Sequence, residues 1–184
     1  MRVLWIAVAA LLVSVGAATP AQAGLVYYAG LGAYDQYEMG VEAFGEIRPR
    51  RRGGLAVDGT VRETRLETGS VVTSNLTVGA GHQAEWFYSS VGVGGIHLEE
   101  SVTGDSDSAL FVSARSAIIL GQRLEVGVRG EWRDELLRED HGGQGAVYAR
   151  IGVHRNFWIE LAQWEDFDNV EGEDRASLRV MWHF

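Results

Sequence analysis

The chain has 184 residues, a formal net charge of −9 and no cysteine. That length suits one domain, and the acidity argues against nucleic acid as a partner. Without disulfides, an exported fold of this kind must rely on packing or on a closed hydrogen-bond network.

Glycine is frequent (24) and proline rare (2), and every basic residue is arginine. This composition speaks against disorder and for many strands joined by tight bends. The N-terminal segment reads as an export signal. Arg2, an apolar run over 3–15 and the small-x-small site Ala21-Gln22-Ala23 after Pro20 predict a signal peptide over 1–23 and a barrel domain over 24–184. The apolar run is shorter than the ~20 residues of a spanning helix. No cysteine follows the site to carry a lipid, and no later stretch is long and uncharged enough to span as a helix.

From there apolar and polar residues alternate with period two, which predicts ten strands. The first, 25–34, sets Leu25, Tyr27, Ala29, Leu31 and Ala33 on one face. The second, 39–48, sets Met39, Val41, Ala43 and Ile47 against Glu42, Phe44, Glu46 and Arg48. The third, 54–61, sets Leu55, Val57 and Val61 against Asp58, Thr60 and Arg62. The fourth, 71–81, sets Val72, Leu76, Val78 and Ala80 against Thr73, Asn75 and Thr77. In the fifth, 86–98, Gly92, Gly94 and Gly95 blur the parity and point to a bulge. The sixth is 109–120. The seventh, 123–133, sets Leu124, Val126, Val128 and Trp132 against Glu125, Arg129, Glu131 and Arg133. The eighth, 146–154, sets Val147, Ala149, Ile151 and Val153 against Tyr148, Arg150 and His154. The ninth is 157–164 and the tenth 176–184.

Links alternate in length. Those at 49–53, 82–85, 121–122 and 155–156 are short, and those at 35–38, 63–70, 99–108, 134–145 and 165–175 are mostly longer. Short turns on one side and longer loops on the other belong to a closed, up-and-down antiparallel transmembrane β-barrel, here of about ten strands with eight as the alternative. An even strand count places both termini on the periplasmic side.

Charge decides which face meets lipid. The strand acids are Glu42, Glu46, Asp58, Glu125, Glu131 and Glu160. The strand bases are Arg48, Arg62, Arg115, Arg129, Arg133, Arg150 and Arg179. In the well-patterned strands all fall opposite the apolar face; Arg115 and Glu160 set their own strands' parity. The two sets nearly cancel, as buried ions inside a narrow lumen must, and the arginine fork can hold two acceptors at once. A lumen ion-pair network is therefore expected. The competing arrangement is a soluble barrel or sandwich with the apolar face inside.

The last strand carries apolar residues at every second position: Ala176, Leu178, Val180, Trp182 and the terminal Phe184. In this strand the sequence resembles the bacterial outer-membrane β-barrel superfamily, whose closing strand ends in an aromatic residue. By size it is similar to the small OmpA, OmpX and opacity-type barrels or to a YfaZ-like barrel. The resemblance implies an exported, porin-like protein of the Gram-negative cell envelope. It also implies that Leu178, Val180, Trp182 and Phe184 form an assembly signal for the barrel-assembly machinery. Tyr27, Tyr34, Tyr37, Trp132 and Trp182 near strand ends fit interfacial girdles.

The longer links are acidic, with Glu99, Glu100, Asp105 and Asp107 in one, Asp134, Glu135, Glu139 and Asp140 in another, and Glu165, Asp166, Asp168, Glu171, Glu173 and Asp174 in a third. The short turns carry Arg50, Arg51, Arg52, Arg123 and Arg155. Acidic loops suit solubility or a surface near lipopolysaccharide and membrane lipid. The spacing around 165–174 follows no calcium loop. His97, beside Glu99 and Glu100, and the loop residue His141 are the sites where an enzymatic base would sit. With no GxSxG motif and no nucleotide loop at Gly92, no catalytic residue, metal or cofactor is expected. His154 and His183 are placed on the lumen face. The expectation is a non-enzymatic barrel with a structural or surface-interaction role, with a narrow pore as the alternative and a lipid-modifying or proteolytic enzyme behind both.

Overall fold

A computed structural model describes residues 25–35, 39–50, 52–66, 69–101, 103–134, 141–166 and 175–183. The expected signal peptide, Tyr37 and Phe184 lie outside the described residues, as do the side chains of Tyr27, Tyr34, Arg133 and His141. The strands are β1 (Leu25–Asp35), β2 (Met39–Pro49), β3 (Arg52–Leu66), β4 (Gly69–Gln83), β5 (Phe87–Glu100), β6 (Ser106–Leu120), β7 (Leu124–Asp134), β8 (His141–His154), β9 (Phe157–Asp166) and β10 (Arg175–His183).

Each strand pairs antiparallel with its sequence neighbours, and β10 closes on β1 from Tyr28↔His183 to Asp35↔Ala176. Closure satisfies every ladder edge, which is why a strand protein without disulfides can be stable in lipid. Side chains alternate across the wall. The outward set is apolar: Leu31, Leu76, Val93, Leu110, Val128, Val147, Ile151 and Leu178 are all exposed. The inward set is polar and aromatic: Glu42, Glu46, Arg48, Glu125, Arg150, Glu160 and Arg179 are buried, with Tyr88, Tyr148 and Trp164. The usual distribution of a water-soluble protein is thus inverted.

The strands on one side run further than the alternation predicts. β3 and β4 are paired out to Leu66↔Gly69, so the expected 63–70 loop is mostly ladder. β8 starts at His141 instead of 146, its glycines Gly142 and Gly143 pairing with Arg133 and Trp132. His141 is therefore a strand residue. The β3–β6 strands of 14 or 15 residues form a wall taller than the 9 to 11 residues of β1, β2, β7, β9 and β10.

No bulge forms in β5, which pairs residue by residue with β4 and β6. Gly92 and Gly94 face inward, and there they make space. A Cβ on Gly94 would lie 2.5 Å from the Phe111 ring across the ladder. The irregular register falls instead between Gly152 and His154, beside the β8–β9 turn. That shift releases His154 from the lumen row, and its side chain is exposed.

Candidate functional site

The two-residue period delivers inward charges from β2, β3, β6, β7, β8, β9 and β10 into a narrow tube. Arg48 donates from Nη1 and Nη2 to the two oxygens of Glu125, at 2.7 and 3.0 Å, and from Nε to Glu46. Arg150 donates from Nη2 to Glu46 at 2.7 Å and from Nε to Glu160. Arg115 donates to Glu46 at 2.9 Å and to Glu125 at 3.2 Å. Its Nε donates at 2.6 Å to the Tyr148 hydroxyl, which donates in turn to Glu125 at 2.8 Å.

A second group joins the first through Glu160. That carboxylate accepts from Arg129 at 2.8 Å and from Arg179 at 3.2 Å. Arg179 forks onto Glu42 at 2.6 and 3.0 Å, and Glu42 also takes Arg62 Nε at 3.1 Å. Four carboxylates thus bridge six guanidiniums. Pairs such as Arg48–Glu125 and Arg150–Glu46 tie β2 to β7 and β8, spanning the lumen and not merely its wall. Forked, charge-assisted bonds are the geometry that offsets removing ions from water.

Carboxylates alone do not satisfy this many arginines, and Arg129 Nε and Arg150 Nη1 have no hydrogen-bond partner among the described residues. Aromatic faces supply the remainder. The guanidinium carbon of Arg48 lies 4.2 Å from the Tyr88 ring centre, Arg115 4.3 Å from Tyr148, Arg129 4.4 Å from Trp164 and Arg179 4.6 Å from Phe44.

Of the other expected lumen residues, Glu131 accepts from Gln144. Asp58 borders a residual cavity of about 40 Å³ and takes part in none of the pairs above. A space of that size is suited to ordered water, not to a solute. His183 does face inward, but it stacks on Tyr28 at 5.1 Å and 19° instead of joining the ion pairs. The alternation did not disclose Gln144 and Arg175, since both fell in segments assigned to loops. Arg175 donates to Gln144 at 3.1 Å and lies 4.5 Å from the Trp164 centroid. The inward parity of Arg150 and Tyr148 on β8 and of Arg179 on β10, extended backward in steps of two, was the signal that could have found them.

Outside, the exposed apolar residues of β6 run from Leu110 to Leu120. Ten residue steps of ~3.3 Å at a ~40° tilt span about 25 Å, the height of a barrel's apolar band. Exposed Trp132 marks one margin, and Trp86 and Trp182 the other. Beyond Leu110 the outward row turns polar. His97 Nδ1 lies 2.9 Å from Ser108 Oγ, so its partner is a hydroxyl and not Glu99 or Glu100. This rim also exposes Glu99, Asp105, Asp107 and Glu165.

No protein-family model matches the sequence, and no curated protein matches it. Among solved structures, the KdgM porin aligns with a TM-score of 0.52 at 9% identity, over 85% of this chain and 99% of that one. The N-terminal β-barrel domain of Pseudomonas aeruginosa OprF aligns with a TM-score of 0.42 at 10% identity, over 88% of this chain and 98% of that one. Ail of Yersinia pestis aligns at 0.36 and 15% identity, over 88% and 99%. At such identity the likeness to KdgM is one of fold alone: the chain shares its β-barrel architecture.

Proposed function

We propose that the chain is an integral outer-membrane barrel without enzymatic activity, which acts as a structural or surface-interaction element through its acidic outer end. One observation carries the membrane assignment: apolar side chains cover the outside of the closed ladder while the ions are buried inside it. In water that arrangement would expose a continuous apolar belt, which soluble monomers avoid. In lipid it is the stable one.

The outward row Ala176, Leu178 and Trp182 on the closing strand supports recognition by the barrel-assembly machinery, and the acidic rim supports contact with the lipopolysaccharide layer through divalent cations shared with its phosphates. Cell fractionation with heat-modifiable gel mobility tests the assignment. Recovery in the membrane fraction, with a mobility that changes on boiling, is expected, and recovery in the soluble periplasm overturns it.

The name of the KdgM porin raises a narrow pore as the second reading. The cross-lumen pairs and the water-sized residual cavity weigh against it. Among the described residues, the His97–Ser108 contact resembles a nucleophile and its base. Unchanged lipid A and peptide profiles in His97→Ala and Ser108→Ala cells are expected, and altered profiles would replace the non-enzymatic reading.

A further inference from the structure

The two ends of the barrel carry opposite charge, and the short-turn end is specific about its kind. Arg50 and Arg52 lie at the β2–β3 turn, Arg123 at β6–β7 and Arg155 at β8–β9, all exposed. Glu85, in the fourth short turn at β4–β5, is the lone acid among the described residues of the short turns. Arg52 has φ of 62°, a left-handed backbone that disfavours any residue with a Cβ and that glycine would adopt freely. The turn therefore presents a guanidinium at a position where the backbone alone would favour glycine.

Depth fixes what these cations meet. Arg52 is three residues along β3 from exposed Leu55 and Arg155 two from exposed Val153, while Arg123 is one residue from Leu124, the ladder partner of exposed Leu120. One to three steps of ~3.3 Å along a strand tilted by ~40° place them about 3–8 Å beyond the apolar band. That falls within a headgroup layer, which is ~5–8 Å thick on one side of a bilayer. Exposed Trp86 lies at the same margin, as does Trp182, which packs edge-on against Phe157 at 5.3 Å. Such aromatic residues anchor at the headgroup boundary.

We infer that the short-turn end is a collar for anionic phospholipids, its exposed arginines holding the phosphodiesters of the adjoining leaflet. The inference rests on the membrane reading above. Exposed Glu85 is a single carboxylate against four arginines among the described residues of this end, and a guanidinium matches phosphate oxygens in a fork. The acidic opposite rim repels the same headgroups, so the charge pattern also sets which way round the barrel sits.

The test uses the chain refolded into vesicles of phosphatidylcholine carrying a minor fraction of spin-labelled phosphatidylglycerol or spin-labelled phosphatidylcholine. Electron spin resonance then reads the fraction of each lipid immobilised on the protein. The collar predicts a several-fold preference for phosphatidylglycerol that falls toward parity in ~1 M salt. It predicts the same loss in the variant combining Arg50→Ser, Arg52→Gly, Arg123→Ser and Arg155→Ser. Arg65→Ser, at an exposed site on the opposite end, is expected to keep the preference. If the fourfold variant does not fold, the Arg123→Ser/Arg155→Ser pair is read in its place. An unchanged preference in the collar variants, or an equal loss in Arg65→Ser, overturns the collar. Failure of the unmodified chain to insert in either vesicle overturns the membrane reading, and the collar with it.

Discussion

Arg48 on β2 grips Glu125 on β7 through both terminal nitrogens, at 2.7 and 3.0 Å, from one wall of the barrel to another. Glu125 also accepts from Arg115 and Tyr148, so this carboxylate is where several dependencies meet. Glu125→Ala leaves Arg48 and Arg115 to share Glu46 as their remaining hydrogen-bonded carboxylate, and breaking a buried pair from one side costs ~3–5 kcal/mol. Urea unfolding in lipid vesicles is expected to show a loss of that size. A loss below about 1 kcal/mol, the scale of an exposed pair, would mean that the lumen is wet enough to screen its ions.

Removing both ends of a cross-lumen pair acts differently. The double variant Glu46→Ala/Arg150→Ala deletes a 2.7 Å bridge between β2 and β8. It also leaves a void within the network. Planar-bilayer recording is expected to show no resolved steps for the unmodified chain and discrete conductance for the double variant. Steps of equal size in both would place the ion path elsewhere.

Two adjacent glycines separate the inside of the wall from the outside. A Cβ on Gly94 would sit 2.5 Å from the Phe111 ring and 2.6 Å from the Leu76 carbonyl, whereas one on Gly95 would meet its nearest atom at 4.0 Å. Gly94→Ala is expected to cost ~1–3 kcal/mol by overpacking. Gly95→Ala is expected to stay within about 0.5 kcal/mol, as surface changes do. Midpoints of thermal unfolding measure both, and a reversed order would contradict the β5 parity.

The outward belt is open to a depth scan. Val128 lies midway along β7 and is 53% exposed, whereas Trp132 stands at the margin. Arginine at the midplane of a lipid face costs ~2–4 kcal/mol and near the interface ~0–1 kcal/mol. Refolding equilibria of Val128→Arg and Trp132→Arg in vesicles should reproduce that gradient. Equal and small costs would be the signature of a wall that faces water.

Much of this arrangement was legible in the chain because a strand's period of two forces charge and apolarity onto opposite faces. Leu124, Val126 and Val128 against Glu125 and Arg129 fix β7 without further information, and the sign of Arg115 and Glu160 was enough to orient β6 and β9. What was hidden is what parity does not encode. The partners across the lumen, such as Arg48 with Glu125, depend on the barrel's closure and stagger, which no local pattern records. Strand ends were hidden too. Gly142 and Gly143 read as loop, yet the ladder with Arg133 and Trp132 continues through them and brings Gln144 into the lumen. His154 was misplaced because one register shift beside a turn breaks the alternation that assigned it inward.

The raised β3–β6 wall has a consequence for anything approaching from outside. A protease cleaves backbone that it can pull into its own active-site cleft as a free extended strand. At 62–66 and 69–75 that backbone is already committed to ladder bonds with neighbours on the same sheet. Digestion of whole cells should therefore spare 62–66 and 69–75 while cutting the exposed β5–β6 turn at 103–105.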